Sequence, residues 1–106
     1  MVIYEVNLSI KPASSAAFET WLIPHIEQML TFEGFISAQT LDREEDGPNR
    51  HLTVQYQVRD RAALEHYFTH HADQMRDDGL KRFEGQFTAS RRILTERERY
   101  DRLPLA

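Results

Sequence analysis

The chain has 106 residues, enough for one domain with one modest core and too few for two. Its 41% hydrophobic and 28% charged residues are ordinary for a globular protein, and a net charge of -4 argues against a nucleic-acid or anionic-membrane surface, which would select clustered Lys and Arg. Cysteine is absent, which excludes disulfides, thiolate catalysis and cysteine-ligated metal centres.

From Val2 to Ile10 the residues sort onto two faces. Val2, Tyr4, Val6, Leu8 and Ile10 lie on one, and Ile3, Glu5, Asn7 and Ser9 on the other, which predicts a strand with an apolar and a polar side. A chain entering a strand at residue 2, with no basic n-region or long apolar run, is expected to lack an export signal or membrane span and to be cytoplasmic. After a break at Lys11-Pro12-Ala13, the recurrence of Phe18, Leu22, Ile26, Met29 and Leu30 predicts a helix over about 14–32. Pro24 inside it predicts a kink or restart, and Gly34 is placed to end it. Residues 35–43 read as a second strand of weak alternation. The polar turn Asp42 to Asn49 then leads to a strongly alternating strand over 51–58, so the two should form a hairpin. Asp60 is a good N-cap for a second helix whose stripe is Leu64, Tyr67, Phe68, His71, Ala72 and Met75, with Gly79 placed to stop it. Residues 86–94 form a fourth strand. We read 1–95 as one domain and 96–106 as a charged C-terminal tail.

The order strand, helix, strand, strand, helix, strand is a doubled β-α-β unit, which predicts an α+β, ferredoxin-like fold: a four-stranded antiparallel sheet with two helices on one face. The chain also resembles the bacterial proteins grouped as number 4286 in the series of domains of unknown function. The resemblance lies in Ile3-Tyr4-Glu5-Val6, Trp21 with His25-Ile26, Gly34-Phe35, Val54-Gln55-Tyr56, Met75-Arg76, Gly79-Leu80, Arg82-Phe83, and Phe87 with Ala89 and Arg91, within about residues 2–94. It implies membership of the dimeric α+β barrel group, in which two sheets face each other with the helices outside. Relatives of that architecture include small antibiotic-biosynthesis-type monooxygenases and haem-degrading enzymes, with sites between sheet and helices. No catalytic residue carries over from it.

The ligand-binding candidates are Tyr4, Trp21, His25, Tyr56, Tyr67 and His71. Trp21 and His25 are one turn apart and could line an aromatic cleft with the three tyrosines, although such rings also fill small cores. His71 is expected to face the sheet near Tyr4 or Tyr56, where an imidazole suits proton transfer or a hydrogen bond to a ligand. His66 and His70 have the i, i+4 spacing of metal ligands, but no third ligand is identifiable, so a solvated helix face and no metal are expected. The acidic turn from Asp42 to Asp46 lacks calcium-loop spacing and reads as a hairpin tip. Arg82, Arg91 and Arg92 are expected to pair with Glu5, Glu84 and neighbouring acids, with Arg91 an awkward inward member of the fourth strand. There is no phosphate loop or nucleophile elbow, and no cofactor is expected.

Glu5, Asn7, Thr53, Gln55 and Gln57 should share the polar face of the sheet, and the expected partner for it is a second copy of the chain. Two such faces of about 400 Å² each would bury under about 1,000 Å², so the tail is the candidate for added contact. Catalysis is left open. The expectation is a small-molecule-binding or regulatory homodimer without catalysis, and the alternative is a small cofactor-independent enzyme, monooxygenase-like or isomerase-like.

Overall fold

A computed structural model describes residues 1–105. Its strands are β1 (Val2–Ile10), β2 (Phe35–Asp42), β3 (Arg50–Val58) and β4 (Phe87–Thr95). The helices are α1 (Ser15–Met29), α2 (Arg61–His70) and α3 (Ala72–Arg82), with one turn of 3-10 helix at Pro12–Ser14 before α1. The strands form one antiparallel sheet in the order β2-β3-β1-β4, the ferredoxin-like arrangement expected from the sequence. Among the described residues no helix is long and apolar enough to cross a membrane.

The core follows the alternation of β1 and β3. Tyr4, Leu8 and Ile10 from β1 and Leu52, Val54, Tyr56 and Val58 from β3 are buried, and Phe18, Leu22 and Met29 of α1 with Leu64 and Tyr67 of α2 pack onto them. Each large apolar side chain so buried contributes about 1.5–3 kcal/mol. All the helices therefore cover one face of the sheet.

Two local features differ from the expectation, and a third explains one. α1 runs without a restart through Pro24 and ends at Met29; a turn over 30–34 then leads to β2. The second helix is two helices, broken at His71, and it passes Gly79 to end at Arg82. Gly79 is a helix-contact residue rather than a stop: a Cβ there would come 2.9 Å from the Trp21 ring, so the absent side chain is what lets the indole lie against α3. In β2 the pairing with β3 shifts register between Phe35 and Ser37, a bulge that leaves Ile36 exposed and accounts for the weak alternation.

The polar face carries a continuous hydrogen-bonded line across three strands and into the turn that joins β2 to β3. Arg92 on β4 pairs with Glu5 on β1, and Gln55 Nε2 donates to Glu5 Oε1 at 2.9 Å. Asn7 Nδ2 donates to Glu5 Oε2 at 3.0 Å, Thr53 Oγ1 donates to Asn7 Oδ1 at 2.7 Å, and Arg43 Nη1 donates to Thr53 Oγ1 at 3.2 Å. Glu5 is only 3% exposed, and the hydrogen bond from Arg92 holds its carboxyl down to about 2, against the opposing effect of burial. The expected pairing of Glu5 with Arg92 is thus present. Residues 96–105 carry no helix or strand and are exposed.

Candidate functional site

A cleft lies between the helix-side face of the sheet and the helices α1 and α3. Strand parity turns Tyr4 and Val6 of β1, Val54 and Tyr56 of β3 and Arg91 of β4 toward it. Helical spacing brings Phe18, Trp21, Leu22, His25 and Met29 from α1, and Met75, Arg76 and Gly79 come from α3. The enclosed volume is about 50 Å³, which is room for a water or two or a small head group, not for an aromatic ring.

Five of the sequence candidates, Tyr4, Trp21, His25, Tyr56 and Tyr67, stand in this wall. Tyr4 packs against Tyr56 and Tyr67 with ring centroids 6.1 and 5.8 Å apart. Burial raises the phenols of Tyr56 and Tyr67 above the usual range, with neighbouring tyrosines adding to it, so both keep their protons. The Trp21 ring lies 4.6 Å from that of His25, and its Nε1 donates to Asp78 at 3.0 Å. The His25 imidazole is pushed below its ordinary pKa, chiefly by burial and also by Arg91, against the pull of Asp78, so it is neutral at pH 7.

His71 is placed elsewhere. It sits at the break between α2 and α3 and stacks on Phe32, with centroids 4.1 Å apart and planes 8° apart, rather than against Tyr4 or Tyr56. The break falls at His71 itself, whose non-helical backbone turns its imidazole onto Phe32 while Ala72 and Met75 of the same stripe stay buried. His66 and His70 lie on the exposed side of α2 with centroids 4.3 Å apart.

Two charged wall residues, Arg76 and Arg91, are not among the candidates. Arg76 is half-buried, and its Nη2 donates to the Tyr4 hydroxyl at 3.1 Å. Its spacing of four from Ala72 and eight from Phe68 was the available signal. Arg91 had been read as inward by parity but assigned to ion pairing. Of the three arginines expected to pair, Arg92 meets Glu5 and Arg82 meets Asp78 at 3.5 Å. Arg91 meets no carboxylate among the described residues, and Glu84 meets none of the three.

A four-stranded sheet covered by helices on one face is the fold of a group of solved structures. A candidate antibiotic biosynthesis monooxygenase from Deinococcus radiodurans superposes with a TM-score of 0.75 at 14% identity, over 98% of this chain and 100% of that one. SnoaB, a cofactor-independent oxygenase from Streptomyces nogalater, gives a TM-score of 0.67 at 18% identity, over 92% and 95%. A dimeric ferredoxin-like protein from an uncultured marine organism gives 0.67 at 13%, over 92% and 97%. At these identities the likeness establishes the fold. No curated protein matches the chain. The family profile described as Domain of unknown function (DUF4286) matches residues 1–97, and the chain belongs to that family.

Proposed function

We propose that the protein is a homodimer whose cleft binds a small molecule. The observation that carries this reading is the convergence of the Tyr4, Tyr56 and Tyr67 phenols, His25 and two guanidiniums on one otherwise apolar cleft, the composition of a ligand site rather than of a plain core. The polar sheet face, with the exposed Tyr100, Leu103 and Leu105 of the tail as added contact, is the pairing surface. The similarity to a dimeric ferredoxin-like protein supports pairing of this kind.

A second reading rests on His25. A neutral imidazole in a cleft wall is in the state a proton acceptor needs at pH 7, and the fold is shared with a cofactor-independent oxygenase. That reading makes the bound molecule a substrate.

Trp21 is the chain's only tryptophan and stands in the wall, so its fluorescence reports on the cleft directly. Titration with the neutral probe 4-fluorobenzyl alcohol, followed by ¹⁹F line broadening, is expected to saturate together with a change in Trp21 emission. Sedimentation equilibrium at micromolar concentration is expected to give twice the 12.5 kDa chain mass. A linear, unsaturable response both to this probe and to its carboxylate counterpart 4-fluorobenzoate would remove the binding reading, and a 12.5 kDa particle would remove the dimer.

A further inference from the structure

The arginines of the folded body divide sharply. Of the eight up to Thr95, six have a carboxylate partner: Arg43 with Glu45, Arg50 with Asp42, Arg59 with Asp60, Arg61 with Glu65, Arg82 with Asp78 and Arg92 with Glu5. The two with none among the described residues are Arg76 and Arg91, and both line the cleft. Its wall contains no Asp or Glu, in a chain where acids outnumber bases by 17 to 13.

Arg76 is the more constrained of the two. Its Nη2 donates to the Tyr4 hydroxyl and its guanidinium carbon lies 5.9 Å from the centre of the Phe68 ring, while its Nε is buried with no hydrogen-bond partner. A guanidinium withdrawn from water gains most from a carboxylate that can accept two of its N–H groups, and a phenol offers neither the charge nor the second acceptor. Arg91 is the exposed member of the wall and stands opposite Val6 across β1 and β4. Its charge is felt at His25, Tyr56 and Tyr67, so it acts on the interior of the cleft rather than on bulk solvent alone.

We infer that the cleft selects an anion: the ligand carries a carboxylate that enters between Arg76 and Arg91, with its remaining, apolar part lying outward over Trp21 and His25. Size decides the orientation. An enclosed volume of about 50 Å³ takes a carboxylate but not a ring, so the head group goes in and the body stays at the mouth. The assignment rests on the small-molecule reading above and adds the chemical class of the ligand to it.

The test compares 4-fluorobenzoate with 4-fluorobenzyl alcohol, probes of the same shape that differ in charge, by ¹⁹F line broadening and Trp21 emission. The carboxylate is expected to bind about tenfold or more tightly than the alcohol, and the preference should shrink as salt is raised. Arg91→Gln, at an exposed strand position where folding is not at stake, is expected to remove most of that preference by weakening the carboxylate's binding. Equal affinity of the two probes for the unmodified protein overturns the anion assignment and leaves the binding cleft standing. A preference that survives Arg91→Gln undiminished also overturns the assignment, and binding of neither probe overturns both readings.

Discussion

Gly34→Ala is expected to cost about 3 kcal/mol of stability, or roughly 12 °C or more in Tm for a domain of this size. Two effects coincide at this position. The backbone has φ +83°, a conformation that a side chain strains, and a Cβ built there falls 2.4 Å from the Cβ of Ala63 in the first turn of α2. The neighbourhood has little room to yield. Arg59 N donates to Gly34 O at 2.7 Å, and Asp60 caps α2 by accepting from Ala63 N at 2.9 Å, so the turn before β2 and the start of α2 are tied together. Gly85 separates the two effects, because it has φ +72° with nothing within 4 Å of its would-be Cβ. Gly85→Ala should cost about 1 kcal/mol, the conformational share alone. Urea denaturation of both variants checks the difference. Equal losses would mean that the contact with Ala63 carries no energy.

Arg92→Gln is expected to destabilise the protein at pH 7 by removing the charged partner of the buried Glu5 carboxylate, an effect moderated because Arg92 is 65% exposed and its charge is screened. The sign of the pH dependence is fixed by Glu5. Its carboxyl ionises at about 2 in the folded protein against 4.5 as its ordinary value, so the stabilisation is complete above about pH 5 and fades as pH falls from 4.5 toward 2. Arg92→Gln raises the folded value, since Arg92 is the largest cause of the depression. The stability gap between the two proteins should therefore be widest at neutral pH and close near pH 2. Thermal unfolding over that range measures it. A gap that stays constant with pH would show that Arg92 acts through packing and not through the Glu5 charge.

How much of this was legible beforehand varied with the local physics. Strands β1 and β3 were plain because each buries one face only, and the same parity correctly turned Tyr4 and Tyr56 toward the helices. β2 was hard to orient because the bulge at Ile36 interrupts the two-residue period on which such reading depends. Trp21 and His25 were found from one-turn spacing on a helix that is continuous. His71 was misdirected because no proline or glycine marks the break between α2 and α3; what accompanies the break is tertiary, the stacking of the imidazole on Phe32. Gly79 was read by its propensity, as a stop, when its position is set by the indole packed against it. Arg76 is masked because an arginine beside Met75 looks like a solvated neighbour of the stripe, although its spacing of four from Ala72 within α3 is what brings it to Tyr4.

The line from Arg92 through Glu5, Asn7 and Thr53 to Arg43 bears on how this face can recognise anything. Both oxygens of its single buried carboxylate are occupied from within the subunit, by Arg92, Gln55 and Asn7. An approaching surface therefore meets amide and hydroxyl groups and the exposed Arg92 guanidinium, and no free acid from Glu5. Its fit is decided by contour, by neutral hydrogen bonds and by the exposed side of the Arg92 guanidinium, so a partner gains there from an acceptor and not from a cation.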